Sequence, residues 1–115
     1  MTIAAGPAQL TVYARANDRV NHRPLTVELL RRAHQAGLAG ATVLDGTAGF
    51  GLSQRIHTER ILSLSDDLPS LVILVDTPAR LREFAADVAE LVEGRLMTLT
   101  GVEVIDTGRP PRADS

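Results

Sequence analysis

Two short apolar runs decide most of what this chain can become. Ala41-Thr42-Val43-Leu44 and Leu71-Val72-Ile73-Leu74-Val75 are short, rich in β-branched residues and bounded by turn formers, so both are expected as strands. Between them runs a polar excursion with Gly46, Gly49 and Gly51 around Phe50, then Arg55, His57, Glu59 and Arg60. An ordinary hairpin closes in about two to five residues, and much longer loops tend to be functional or disordered. If the protein has a site, it is expected at the base of this loop.

The flanks supply the rest of a domain. From Gln9 to Arg15 the chain alternates, with Leu10, Val12 and Ala14 on one face and Thr11, Tyr13 and Arg15 on the other, the pattern of a half-buried strand. Residues 16–23 form a charged connection. Pro24 suits the first turn of a helix, and Leu25, Leu29, Ala33 and Ala36 follow at helical spacing with Leu30 beside them. Arg31, Arg32 and Gln35 fall on the solvent side, and Gly37 is a good stop. A second helix opens with Thr77 as N-cap and Pro78 at the first position. Its apolar stripe is Leu81, Phe84, Val88 and Leu91, and Gly94 ends it. Residues 96–99 are expected to be extended, with a last short strand over 102–105. The expected organisation is a flexible arm over 1–8, one domain over 9–106 and a disordered proline-rich tail over 107–115.

Strand, helix, strand, long loop, strand, helix, strand reads as a duplicated βαβ unit. The fold class is α+β, a ferredoxin-like βαββαβ sandwich with an antiparallel sheet. Right-handed crossovers place both helices on one face of that sheet. The third main strand is apolar on both faces, which implies burial on both. Val72 and Leu74 are assigned here to the face without helices, to be covered by other copies of the chain in a trimer.

Composition removes several functions. With no cysteine, disulfides, thiolate catalysis and cysteine-based zinc sites are out. All twelve basic residues are arginine, so Schiff-base chemistry and a lysine-dependent phosphate loop are out as well. Anions must be held by arginine forks, backbone N–H groups or helix N-termini. A net charge of −2 gives no sign of a general nucleic-acid binder. No run approaches the ~20 apolar residues of a membrane span. MTIAAGPA lacks the basic region and apolar run of a secretion signal, so a cytoplasmic location is expected.

Residues 36–43 (AGLAGATV), Gly49-Phe50-Gly51, residues 55–58 (RIHT) and residues 64–69 (LSDDLP) together resemble the PII-like proteins, specifically the domain-of-unknown-function family 190, over roughly Leu10 to Ile105. More distantly, Gly-Phe-Gly and His57-Thr58-Glu59 are similar to the corresponding stretches of PII proteins proper. The resemblance implies a ferredoxin-like trimer with a mobile loop between its second and third main strands. It also implies an adenine nucleotide as effector in clefts between subunits. Family members that occur beside or fused to small fluoride-exporting membrane proteins imply a transporter or channel as a possible partner. The chain departs from PII proteins proper in having a short connection, residues 94–101, with Arg95 as its one basic residue, and in having no lysine.

The ligand-binding residues expected are Gly49, Phe50, Gly51, Arg55, His57 and Arg60. Glycines let the backbone approach a ligand and form an anion nest; equally, they bend strand into loop. Phe50 stacks on a base or caps the core. Arg55 and Arg60 are phosphate forks or a solvated loop face, and Arg15 and Arg95 could enter a shared cleft. His57 and Glu59 would share a strand face and, with Asp45, suggest a metal pair, although a surface hydrogen bond is the simpler reading. No catalytic set and no certain cofactor or metal emerges. The expected function is therefore a non-enzymatic, cytoplasmic PII-like regulator. The alternatives are a metal-binding trimer in ion tolerance and an enzyme on the same fold.

Overall fold

The computed structural model describes residues 6–49 and 68–108. The expectations for 1–5, 50–67 and 109–115, which cover most of the arm, loop and tail, lie outside the described residues.

The elements run β1 (Ala8–Arg15), β2 (Arg19–Val20), β3 (Arg23–Pro24), α1 (Leu25–Gln35), β4 (Gly40–Asp45), β5 (Pro69–Asp76), α2 (Pro78–Asp87) and β6 (Leu96–Gly101). Four of the strands form one antiparallel sheet in the order β4-β5-β1-β6. This is the expected α+β arrangement, with β1 and β5 at its centre.

Register decides what each side chain meets. Opposed residues of an antiparallel pair point to the same face. Leu10 is opposite Leu74 and Leu99, and Val12 is opposite Val72 and Met97. These join Leu25, Leu29 and Ala33 of α1, and Leu81 and Phe84 of α2 with Val88 beyond it, in one core, so both helices cover this face. That corrects the assignment of Val72 and Leu74. Both are fully buried within the protomer. Two-sided apolarity showed that β5 matters on both faces but not which set meets the helices; pairing with β1 settles it.

The face without helices carries Leu71, Ile73 and Val75 instead. Near the end where the long loop leaves, an apolar row crosses all four strands. Leu44 is opposite Leu71, Leu71 is opposite Tyr13, and Tyr13 is opposite Leu96. Leu44, Tyr13 and Leu96 remain 50%, 41% and 42% exposed.

Local chemistry explains the helix ends. Pro24, just before α1 rather than in its first turn, has φ −58°. Gly37 at φ +73° closes the helix in a Schellman motif: the Leu38 N–H donates to the Ala33 carbonyl and the Gly37 N–H to that of His34, both at 3.1 Å. Thr77 caps α2 by accepting the Arg80 N–H at 3.3 Å, with Pro78 next. The regular helix ends at Asp87 rather than near Gly94, and turns over 88–94 keep Val88 and Val92 in the core.

Three other boundaries differ from expectation. Ala8 belongs to the sheet rather than to an arm and is buried, and just before it the Pro7 carbonyl accepts the Val102 N–H at 3.0 Å. The last strand is residues 96–101, not 102–105, because β1 begins at Ala8, opposite Gly101, and offers no partner strand beyond. Val104 and Ile105 are accordingly exposed. The charged connection contains a two-rung ribbon of β2 and β3 around Asn21 and His22, which have φ 51° and 70°. Two successive positive φ values match the right-handed strand twist in a two-residue turn.

Candidate functional site

The sheet's connectivity gathers the functional candidates at one end. Asp45 ends β4 and is opposite Ser70, while Arg15 ends β1 and is opposite Pro69. The long loop leaves and returns here. Its ends are pinned by the Gly46 N–H donating to the Pro69 carbonyl at 2.8 Å, and by the Ser70 hydroxyl donating to Asp45 Oδ1 at 2.7 Å.

Gly46 and Gly49 both pack against Pro69. A Cβ on Gly46 would lie 2.8 Å from Pro69 Cγ, and one on Gly49 would lie 3.2 Å from the same atom. The first distance is a collision and the second a tight fit. Neither glycine is among those with positive φ, which are Gly37, Gly94 and Gly108. Gly49 thus packs closely on Pro69, which leaves its backbone N–H open to either reading. Phe50, Gly51, Arg55, His57 and Arg60 lie outside the described residues, as does Glu59 of the suggested metal pair. Asp45 is engaged by Ser70. Among the described residues no group of three or more histidine or acidic side chains is gathered for a metal.

Arg15 and Arg95 do converge, but on Asp18. Asp18 accepts the backbone N–H of Arg15 at 2.8 Å. Arg95 grips the carboxylate in a fork, with Nε 2.8 Å from Oδ2 and Nη2 2.8 Å from Oδ1. Burial pushes the Asp18 carboxyl up, yet the Arg95 hydrogen bond, the Arg15 N–H and both positive charges outweigh it and hold its pKa below the ordinary value. The Asp18 carbonyl also accepts the Leu25 N–H at 2.8 Å. Asp18 therefore ties the ends of β1 and α1 to the turn before β6. Arg95 is committed to that task rather than to an open cleft.

The sequence reading missed Glu28. Its side chain is 6% exposed and is held by two neighbours on α1. Arg31 donates through Nε at 3.1 Å and Nη2 at 2.6 Å, and Arg32 through Nε at 2.9 Å. Hydrogen bonds from Arg31 and then Arg32, against burial, push the carboxyl pKa down to about 2. Glu28, Arg31 and Arg32 stand at helical spacings of three and four, a legible signal for side-chain pairing; burial of Glu28 was not legible.

At the opposite end of the sheet, Asp76 is the counterpart. It accepts the N–H groups of Thr77 at 2.6 Å and Ala39 at 2.9 Å, and Arg80 Nη1 at 3.1 Å. Burial raises its pKa, and those donors more than reverse the effect. Arg80 also donates Nη2 to the Ala36 carbonyl at 2.6 Å, clamping the end of α1 to the start of α2. No helix among the described residues is long and apolar enough to cross a membrane.

A model of the DUF190 family, described as an uncharacterised ACR, matches residues 7–104. A protein of Aquifex aeolicus (strain VF5) named UPF0166 protein is 31% identical over 96 residues, covering 84% of this chain and 90% of its own length. A second UPF0166 protein of the same organism is 31% identical over 77 residues, covering 67% and 80%.

Proposed function

The chain belongs to the DUF190 family, and on that premise we propose that it is a PII-like regulatory protein with no catalytic activity of its own. It assembles as a homotrimer in the cytoplasm and binds a small effector, an adenine nucleotide first, in clefts between protomers. Effector binding orders the loop between β4 and β5, which then contacts a target protein, with a membrane transporter or channel as the partner considered first. A ligand shifts such a loop only by favouring one of its states.

One observation carries this reading: the apolar row Leu44, Leu71, Tyr13 and Leu96 on the helix-free face, beside the base of the loop. An exposed apolar stripe across a sheet is a surface that association covers. Its position would bring the loop base of one copy beside the sheet of another. The phosphate would be held by the backbone of Gly49 to Gly51 and by Arg55, with His57 and Arg60 near it and Phe50 against the base. With no lysine in the chain, mono- and diphosphates should bind as well as triphosphates.

Light scattering and titration calorimetry with ATP, ADP and AMP test the proposal together, with divalent metals and nucleotide turnover as further arms. The expected result is a trimer that binds an adenine nucleotide, with Arg55→Ala weakening it about tenfold or more, about 1.4 kcal/mol. A monomer without nucleotide affinity would overturn the reading. Metal binding alone would favour an ion-tolerance role, and turnover would favour an enzyme.

A further inference from the structure

Two of the described arginines with charged partners, Arg80 and Arg95, spend their donors on holding the fold together. Arg80 spends one Nη on Asp76 and the other on the Ala36 carbonyl. Arg95 forks Asp18 through Nε and Nη2 and gives Nη1 to the Glu93 carbonyl. The arginines around Glu28 differ. Three guanidinium groups, those of Arg23, Arg31 and Arg32, share that single carboxylate. Arg32 reaches it through Nε, and Arg31 through Nε and Nη2. Arg23 Nη1 stands off at 3.6 Å, close enough for charge attraction but beyond a hydrogen bond.

Two positive charges are therefore left over at one place. So are both Nη groups of Arg32, Nη1 of Arg31 and the fork of Arg23 among the described contacts. These side chains are 39–62% exposed while Glu28 is 6% exposed. The carboxylate thus sits underneath and holds the Arg31 and Arg32 guanidinium groups, while Arg23 stands beside them, more exposed. The same three arginines and Glu28 line a cavity of about 260 Å³ with Val20 and Asn21 of the β2–β3 ribbon.

We propose that this cavity is a binding site for a phosphoryl dianion, either inorganic phosphate or the phosphate group of a small monoester. Guanidinium forks match phosphate oxygens in pairs, and two surplus charges match a dianion. A carboxylate fills one fork, whereas a tetrahedral phosphoryl group offers oxygens in several directions to three. The volume leaves room for a small organic group beyond the phosphate. The site stands on the geometry of α1 and the ribbon and goes beyond the effector reading, which places its anion on the Gly49–Gly51 backbone and Arg55.

The test is calorimetric titration of the full chain with inorganic phosphate and glycerol phosphate at fixed ionic strength, with glycerol as neutral control. Both anions should bind and glycerol should not. Arg23→Ala leaves Glu28 its two close partners, so the fold persists, and it should weaken both anions by about tenfold. Arg32→Ala should weaken them further, and Arg82→Ala, an exposed arginine on α2, should change nothing. Melting curves separate lost binding from lost folding, and if Arg32→Ala does not fold, Arg23→Ala alone decides. No binding by the wild type overturns the site, as does wild-type binding by folded Arg23→Ala. Loss of phosphate in Arg55→Ala but not in Arg23→Ala moves the anion to the loop and also overturns it. Binding kept in Arg55→Ala while nucleotide affinity is lost leaves this site standing and separates the two readings.

Discussion

Strand β5 shows two faces of nearly equal apolarity with opposite fates. Val72 and Leu74 disappear beneath two helices, while Ile73 and Val75, one residue away, stay half-buried on the face that carries no helix among the described residues. On the first face burial makes the protomer stable. On the second it is the surface that the proposed trimer would cover. Hydrophobicity alone does not separate these uses; the register with β1 does.

The largest test of this contrast is Val72→Asp. It places an unpaired charge in a fully enclosed core, at a cost of more than about 4 kcal/mol, and should abolish the cooperative melt followed by circular dichroism. A folded Val72→Asp protomer would mean that the faces have been exchanged. Acid comes next and acts on the helix-covered half. The pKa of Glu28, Asp18 and Asp76 is lowered in the folded state. Each then stabilises the fold above its unfolded pKa of about 4, and that contribution is lost as pH falls, for Glu28 down to about 2. The melting temperature should drop steeply below about pH 4, and Glu28→Gln should flatten part of that slope. An equal slope in Glu28→Gln would leave the network without a role in stability. Ile73→Asp should have the smallest effect on the protomer, about 1 kcal/mol, because Ile73 is only half-buried on a face that no described helix covers. Light scattering should nevertheless show the assembly dispersed, and unchanged mass would place the interface elsewhere.

The sequence made the scaffold readable wherever one residue type has one physical use. Alternation in residues 9–15 gave the core face of β1, and Thr77-Pro78 and Gly37 marked helix ends through capping and positive φ. It was less informative where the outcome depends on a partner. Which face of β5 meets the helices, and where β6 ends, are set by pairing with β1, which no local pattern encodes. The site divided in the same way. Gly49 was singled out, but its contact with Pro69 joins residues far apart in sequence. Glu28 passed unnoticed because its burial comes from tertiary packing, although its arginines stood at pairing distance along α1. Arg15 and Arg95 were grouped for a shared cleft, whereas what joins them is Asp18, read only as part of a charged connection.

The hydrogen bond between Gly46 and Pro69, with the proline ring pressed where a side chain would be, has an evolutionary consequence. It closes the circuit of the sheet before the intervening segment begins, so the fold does not depend on how many residues that segment holds. Doubling the length of a flexible closed segment costs only about 0.6 kcal/mol. The base can thus work as a socket that would hold segments of different length at little cost while the scaffold stays the same.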